Sequence, residues 1–240
     1  MKVIITKNYE EMSEKAYEIV RDVIKANPNA VLGLATGSSP IGLYDDLVKA
    51  YERGEISFKN IRTVNLDEYV GLDYSSDQSY VYFMRKNLFE RVDIDLANTN
   101  LPDGKAKDLE AECARYTKLV EGMRQDVQVL GLGSNGHIAF NEPGTPFDST
   151  THVVKLTEST IKDNSRLFKN IDEVPRSALT MGIANIMNAK KIVVVANGAN
   201  KADAIYKTVK GEITEAVPAS ILQKHPDVTI VCDELAAAKL

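Results

Sequence analysis

The stretch Ala30-Val31-Leu32-Gly33-Leu34-Ala35-Thr36-Gly37-Ser38-Ser39-Pro40-Ile41-Gly42 carries the basic unit of the fold. Its apolar first half, Ala30–Ala35, has the length and composition of a buried strand. A Gly/Ser turn follows, and a segment of helix length, Leu43–Arg53, comes after the turn. The same alternation of apolar runs and amphipathic segments continues along the chain. Such alternation is typical of βαβ units, in which helices join parallel strands.

The other predicted elements repeat this pattern. The strands are mostly continuous apolar runs, as burial on both faces of a parallel sheet requires: Met1–Ile5, Ile61–Leu66, Val127–Leu132, Ala178–Met181, Lys190–Ala196 and Val228–Cys232. The helices between them are Tyr9–Asn27, Tyr80–Leu88, Leu109–Gly122 and Lys201–Lys210. No internal repeat, low-complexity tract or Pro/Gly/Ser linker divides the chain. We therefore predict one doubly wound, Rossmann-like α/β domain over residues 1–240, with a mainly parallel sheet and helices on both faces.

Composition excludes several classes of protein. The chain has 240 residues, 44% of them hydrophobic, and a net charge of −5 from 29 basic and 34 acidic side chains. No global positive field is present to recruit nucleic acid or anionic lipid, and no apolar run approaches the roughly 20 residues that span a bilayer. The N-terminus shows no apolar signal region, so we expect a cytoplasmic protein. In that compartment Cys113 and Cys232 are expected to be reduced core thiols.

The first candidate site is the turn formed by Thr36, Gly37, Ser38 and Ser39. Ligands of doubly wound proteins bind beyond the carboxyl ends of the strands, at a topological switch. A turn before a helix presents free backbone amides and the positive end of a helix dipole, which suits a phosphate. Pro40 fits the first helical turn, with Ser39 as its cap. The alternative is an ordinary capped turn without a ligand, since neither a Walker motif nor a G-x-G-x-x-G fingerprint is present.

Two carboxylates, Asp67 and Glu68, directly follow the predicted strand Ile61–Leu66. A carboxylate held at the carboxyl end of a strand is well placed to act as a general base. The alternative is a helix-capping or solvated pair, because most charged side chains are simply exposed to water.

The richest segment is the glycine-containing stretch Leu130–Gly144. Its glycines allow close backbone approach and positive φ. His137 lies in this loop, and Glu142 comes five residues later. Histidine exchanges protons near neutral pH, and a neighbouring carboxylate can fix its tautomer. We interpret the two as a proton relay, and we interpret His152 and His225, which have no such setting, as structural.

Two basic residues, Arg166 and Lys201, are candidates for binding a phosphate. Arginine binds phosphate oxygens in bidentate fashion and lysine acts as a point charge. Most Lys and Arg side chains only cover helix surface, so neither is decisive alone. With the turn, the carboxylates and the His/Glu relay, they indicate acid–base chemistry on a phosphorylated metabolite, without a cofactor or metal.

Three motifs give the chain a family resemblance: L-D-E-Y-V-G-L at residues 66–72, G-S-N-G-H-I-A-F-N-E-P-G at 133–144 and V-P-R-S-A-L-T-M-G-I at 174–183. The chain resembles the glucosamine-6-phosphate deaminase family, also called glucosamine-6-phosphate isomerase, from the A-T-G-S-S-P turn to the V-C-D-E ending. The resemblance implies a Rossmann-like fold and conversion of glucosamine 6-phosphate and water to fructose 6-phosphate and ammonia. We class this activity as that of a hydrolase acting on an amino-sugar phosphate.

The resemblance also implies roles for individual residues. Asp67 matches the base that moves a proton between C2 and C1 of the opened sugar. His137 matches the residue that opens the ring, and Glu142 matches its carboxylate partner. Asn135 stands where some members have aspartate, so it can orient His137 but cannot accept a proton. The phosphate-binding positions match Thr36, Gly37, Ser38, Ser39, Arg166 and Lys201.

Two other functions compete with this one. A 6-phosphogluconolactonase has a similar fold and a related histidine loop, but it resembles S-L-F-P-G where this chain has Ala139–Gly144. A sugar-phosphate-sensing regulator would add a DNA-binding segment or a basic patch, and the sequence has neither. We therefore expect a small-molecule substrate, no nucleic acid or membrane partner, and a monomer or small homo-oligomer.

Overall fold

The computed structural model describes residues 1–158, 161, 168 and 170–240. Within this part of the chain the strands are β1 (Lys2–Thr6), β2 (Val31–Leu34), β3 (Arg62–Asn65), β4 (Asp67–Tyr69), β5 (Thr99–Asn100), β6 (Val127–Gly131), β7 (His152–Lys155), β8 (Ser177–Thr180), β9 (Ile192–Ala196) and β10 (Val228–Asp233). The α-helices are α1 (Tyr9–Ala26), α2 (Ile41–Glu52), α3 (Tyr80–Asn87), α4 (Leu109–Gly122), α5 (Ile183–Met187) and α6 (Ala202–Lys210).

Seven strands form one parallel sheet in the order β1-β10-β9-β6-β2-β3-β5. The chain builds outward in one direction from β2 and in the other from β6, so the switch point lies between these two neighbours. There Leu32 pairs with Val127, and Gly33 pairs with Gln128. This arrangement confirms the predicted doubly wound, mainly parallel α/β fold.

Most of the predicted apolar runs form strands of the parallel sheet, whose central members are buried on both faces. Every residue of β2, β9 and β10 is buried in the core. Helix α1 covers the sheet with Met12, Ala16, Val20 and Ile24, all buried and spaced four residues apart on one helical face. The side chain of Asn8 caps this helix by accepting a hydrogen bond from the Glu11 amide at 2.9 Å.

A second, antiparallel sheet has the order β4-β8-β7. The predicted strand Ala178–Met181 forms β8 of this sheet instead of joining the parallel one. Strands β4 and β7 have three and four residues. They were not predicted because such short segments with charged side chains lack a continuous apolar run. The chain passes from the parallel sheet to the second sheet at Leu66, between β3 and β4.

The remaining expectations about the chain concern thiols and membranes. Cys113 and Cys232 are both buried and free, which confirms them as core thiols. Across the described ranges, no helix combines the length and the apolar character needed to cross a membrane.

Candidate active site

A cavity of about 600 Å³ opens at the carboxyl edge of the parallel sheet, at the β2/β6 switch point. Five parts of the chain line it: residues 35–39, Leu66 with Asp67, Tyr80, residues 131–140 in part, and Asn197–Lys201 in part. The cavity therefore brings together the predicted turn, the predicted base, His137 and Lys201. The predicted phosphate ligand Arg166 lies outside the described residues.

The turn of residues 36–39 is shaped to hold an anion. Gly37 has φ 95°, a left-handed conformation that favours glycine. Among the described residues, no acceptor is found for the backbone amides of residues 36–39. Consecutive free amides before a helix form an anion-binding concavity. Helix α2 begins just after this turn, at Ile41.

The expected cap of this helix is wrong. Pro40, not Ser39, occupies the N-cap position, and no side chain of the turn caps α2. The Ser39 hydroxyl instead donates a 3.1 Å hydrogen bond to Oδ1 of Asn197, across the cavity wall. Asn197 was not predicted, although its place directly after β9 is a signal that could have found it.

Asp67 is the first residue of β4 and is only 6% exposed. Burial raises the pKa of its carboxyl to about 8, and the neighbouring charge of Glu68 contributes to the rise. A carboxyl with a pKa near neutral can both take up and release a proton under physiological conditions. The position and environment of Asp67 are those of an acid–base group that faces a cavity.

Glu68 has a different task from that of its neighbour. Its carboxylate accepts hydrogen bonds from the backbone amides of Tyr69 at 2.8 Å, Tyr80 at 3.0 Å and Val81 at 3.0 Å. Two of these amides belong to the first turn of α3, where a negative charge is favourable. Burial raises the pKa of Glu68, and the three amides oppose that rise. Glu68 therefore anchors the start of α3.

Tyr80 is a second cavity residue that sequence reasoning missed. Its ring lines the cavity, and its hydroxyl interacts with the side chains of Thr36 and Tyr69. Because Glu68 holds the backbone of Tyr80, the carboxylate beside Asp67 also places a ring against the turn of residues 36–39. No local sequence signal identifies such a residue, since it acts through contacts with distant segments.

The loop after β6 is folded tightly around His137. The Gly133 amide donates to the His137 carbonyl at 2.9 Å, and the Gly136 amide donates to the Gly133 carbonyl at 3.0 Å. A Cβ atom at Gly133 would lie 2.3 Å from Nδ1 of His137, so only glycine permits the ring to pack there. The glycines predicted from sequence therefore serve to seat the imidazole.

His137, Glu142 and Asn135 form one cluster. Oε2 of Glu142 lies 3.6 Å from Nδ1 of His137 and accepts a 2.8 Å hydrogen bond from Nδ2 of Asn135. The side-chain oxygen of Asn135 accepts from the His137 amide at 3.1 Å. Nδ1 is buried and faces the carboxylate, which leaves the Nε2 edge to reach the cavity. Asn135 thus connects the two other residues without being able to take a proton.

Two polar residues tie this loop to the second sheet. The fully buried Asn141 donates its Nδ2 to the carbonyls of Ile138 at 3.0 Å and Met181 at 2.9 Å. Oγ1 of Thr180 accepts a 3.1 Å hydrogen bond from the Phe140 amide. Thr180 also pairs with Asp67 in the β4–β8 ladder. These contacts fix the histidine loop relative to the strand that carries Asp67.

Lys201 reaches the cavity from a turn that follows β9. Gly198 begins this turn with φ 92°, and its amide is held by both carboxylate oxygens of Asp233 at 3.0 Å. Lys201 ends the 3₁₀ turn Ala199–Lys201 and lines the cavity. Lys201 and the amides of residues 36–39 thus line the same cavity, a combination that suits a singly or doubly charged phosphate.

The other histidines have structural surroundings. The ring of the buried His225 lies 2.8 Å from the Ala189 carbonyl and accepts from the Asp227 amide at 3.1 Å. His152 belongs to β7, does not line the cavity, and contacts the Thr150 carbonyl at 2.8 Å. Neither ring lines the cavity, and the interpretation of both residues as structural stays a prediction.

Comparison with known proteins identifies the family. A sequence model described as glucosamine-6-phosphate isomerases/6-phosphogluconolactonase matches residues 6–231. The chain belongs to this family. Among its members, the glucosamine-6-phosphate deaminase of Thermoanaerobacter pseudethanolicus (strain ATCC 33223 / 39E) is 56% identical over 239 residues, which cover 99% of this chain and 94% of that protein. The glucosamine-6-phosphate deaminase of Clostridium novyi (strain NT) is 51% identical over 241 residues, covering 100% of both.

Solved structures of the family separate close from distant relatives. A monomeric glucosamine-6-phosphate deaminase matches with a TM-score of 0.98 and 48% identity over 100% of both chains. The 6-phosphogluconolactonase of Trypanosoma brucei matches with a TM-score of 0.78 and 21% identity, over 100% of this chain and 98% of the other. The lactonase likeness shows a shared fold alone.

The comparisons correct one expectation. The activity was classed as that of a hydrolase, and this class is wrong. The two relatives reported above are named deaminases, and the description of the family model names glucosamine-6-phosphate isomerases beside 6-phosphogluconolactonase. The chemical reason is that loss of an amino group from an aldose, with formation of a ketose, is an isomerisation coupled to deamination.

Proposed function

We propose that this protein is a glucosamine-6-phosphate deaminase, which converts glucosamine 6-phosphate and water to fructose 6-phosphate and ammonia. The observation that carries the proposal is the cavity, where buried Asp67, an anion-binding turn and His137 meet. The chain that builds this cavity is 51–56% identical, over almost its whole length, to deaminases of that name.

The phosphate of the substrate binds at the turn of Thr36, Gly37, Ser38 and Ser39, with Lys201 as its cation. Arg166 completes the proposed set of phosphate ligands. Charge-assisted hydrogen bonds each contribute roughly 1.5–3 kcal/mol, so the phosphate supplies a large share of substrate affinity. With the phosphate held there, the sugar extends across the cavity toward Asp67 and His137.

His137 opens the sugar ring. It takes the proton from the O1 hydroxyl and delivers a proton to O5 as the C1–O5 bond breaks, which leaves an open-chain aldehyde. Glu142, 3.6 Å from Nδ1, stabilises the imidazolium that forms between these two transfers. Asn135 holds the carboxylate in place through its 2.8 Å hydrogen bond.

Asp67 then isomerises the open chain. Its carboxylate removes the proton from C2 while the aldehyde oxygen O1 gains a proton, which gives an enolamine. The same carboxyl then returns its proton to C1 as the amino nitrogen loses a proton, and this loss balances the proton gained by O1. The product is an imine at C2, to which water adds before ammonia leaves and the C2 ketone of fructose 6-phosphate remains. A buried carboxyl with a pKa near neutral suits both the removal and the return of this proton.

The setting of this activity completes the proposal. Residues 1–240 act as one domain, in the cytoplasm, on a small-molecule substrate and without a cofactor. The protein acts as a monomer. This assignment is supported by the 48%-identical deaminase, which is described as monomeric.

Release of ammonia from glucosamine 6-phosphate tests the proposal, with hydrolysis of 6-phosphogluconolactone measured in parallel on the same preparation. We expect ammonia and fructose 6-phosphate in equal amounts and no lactone hydrolysis above the spontaneous rate. Lactone hydrolysis without ammonia release would assign the cavity to the other activity in the family's description.

A further inference from the structure

Tyr9, the first residue of α1, reaches the phosphate turn from outside the cavity. Its hydroxyl donates a 3.0 Å hydrogen bond to the carbonyl of Ser38 and accepts a 2.8 Å hydrogen bond from the amide of Gly42. Ser38 belongs to the turn itself, and Gly42 to the first turn of α2. Tyr9 does not line the cavity, so it touches the turn only from behind.

This contact replaces the cap that α2 lacks. The first amides of a helix have no partner within the helix and are usually satisfied by a nearby side chain. No residue at the start of α2 provides one. The Tyr9 hydroxyl accepts from one of these amides, although it lies more than thirty residues earlier in the chain.

Only a glycine at position 42 allows this approach, because it has no Cβ atom. A Cβ atom at Gly42 would lie 2.3 Å from Oγ of Ser13 and 3.2 Å from the ring of Tyr9. The absence of that atom lets α1 pack directly against the start of α2. The hydroxyl of Tyr9 therefore reaches both the amide of Gly42 and the carbonyl of Ser38.

The direction of the Ser38 carbonyl sets the direction of the next amide. In a planar trans peptide the C=O and the following N–H point in opposite directions. The Ser38 carbonyl accepts the 3.0 Å hydrogen bond from Tyr9 and a longer one, 3.4 Å, from the Ile41 amide. Because Tyr9 lies outside the cavity, its bond directs this carbonyl away from the cavity and the Ser39 amide toward it. A rotated peptide would instead aim a carbonyl oxygen at the bound phosphate, which would repel it.

We infer that Tyr9 is a positioning residue for phosphate binding, whose hydroxyl holds the Ser38–Ser39 peptide with its N–H directed into the cavity. The inference rests on the proposed function only in taking residues 36–39 as the phosphate-binding turn. Tyr9 makes no contact with the reacting carbons, so it affects how tightly the phosphate is held and not the proton transfers.

The test uses Tyr9→Phe, which removes one oxygen atom and leaves the ring. Tyr17→Phe is the matched control, because it removes the same atom from the same helix, where the hydroxyl contacts Glu55 at 3.3 Å and not the turn. Affinity for inorganic phosphate is measured by ³¹P NMR titration, and kcat and KM are measured with glucosamine 6-phosphate. Thermal unfolding shows that each variant is folded.

We expect Tyr9→Phe to weaken phosphate binding and raise KM by roughly three- to tenfold, the range of one or two lost hydrogen bonds, with kcat changed less than twofold. Tyr17→Phe should leave both values unchanged. A second variant, Gly42→Ala, should act in the same direction as Tyr9→Phe because it separates α1 from the turn. Unaltered phosphate affinity in Tyr9→Phe would overturn the inference, as would an equal loss in Tyr17→Phe. Phosphate binding that responds to Tyr9→Phe in a protein without deaminase activity would support the inference and reject the proposed function.

Discussion

Glu142 presents Oε2 to Nδ1 of His137 at 3.6 Å, on the side of the ring that faces away from the cavity. The distance is longer than a hydrogen bond, so the pair is close enough for charge stabilisation and needs only a small ring movement to bond. The amide of Asn135 already donates to the same oxygen. This arrangement keeps a negative charge behind the imidazole.

His137→Gln is expected to slow turnover of glucosamine 6-phosphate by about 10²-fold or more, the usual scale for loss of a general acid–base group. The ring of the substrate would open without assistance, while later steps would proceed. Affinity for an open-chain amino-alditol 6-phosphate should change much less, because that analogue needs no ring opening. His152→Gln, outside the cavity, is the control. Parallel losses of turnover and analogue affinity would contradict the assigned role.

Asp67→Asn should lower kcat by about 10²- to 10⁴-fold while substrate still binds. The amide fills the same space but cannot remove the proton from C2. Exchange of that proton with deuterated solvent, followed by NMR, should stop in the variant. Asp77→Asn, an exposed change outside the cavity, should behave as wild type. Continued exchange in Asp67→Asn would remove this residue from the mechanism.

The same substitution should stabilise the protein at alkaline pH. The pKa of Asp67 is about 8 in the folded protein and about 4 when unfolded, so between these values the folded state binds the extra proton. Stability of the wild type therefore falls as pH rises from about 4 to about 8. Denaturant unfolding should show wild type and Asp67→Asn alike near pH 4, with the variant more stable at pH 8. If the free energies of unfolding of wild type and Asp67→Asn change with pH in parallel, ionisation of Asp67 does not destabilise the folded state.

Glu68→Gln should shift the pH dependence of activity. The charge of Glu68 contributes to the raised pKa of Asp67, so its removal lowers that pKa. The acidic limb of kcat/KM, which requires ionised Asp67, should then move to lower pH. The amide also loses one of the acceptor oxygens that hold α3, and we expect a cost of about 1–3 kcal/mol in stability. If the acidic limb of kcat/KM stays at the same pH in a folded variant, the charge of Glu68 does not raise the pKa of Asp67.

The sequence predicted the elements whose signal is local. Buried strands such as Ile192–Ala196 are continuous apolar runs, and His137 stands in a recognisable glycine loop. The short strand Asp67–Tyr69 has no such signal and forms because Thr180 and its neighbours pair with it from more than a hundred residues away. The structure separates the Asp-Glu pair: Asp67 lines the cavity, and Glu68 anchors the start of α3. The role of Asp67 as a base stays a prediction.

The contacts that align the site are nearly all long-range. Ser39 bonds to Asn197 instead of capping its own helix, and Tyr9 caps a helix to which it does not belong. These partnerships depend on how elements pack, and the residue types involved are common in turns and helices. Sequence patterns therefore located the chemistry but not the residues that hold it in position.

Asp67 belongs to the antiparallel sheet, whereas the phosphate turn follows β2 of the parallel sheet. The two sheets are coupled near the site by the 2.6 Å hydrogen bond from the Met181 amide to the Leu66 carbonyl, and by Asn141. A shift of one sheet past the other by about an ångström would misalign Asp67 and the substrate. A displacement of this size can lower the rate of the chemical step by about 10²-fold. We therefore expect substitutions at Asn141 to reduce turnover more than they reduce binding of the sugar phosphate in those variants that still fold.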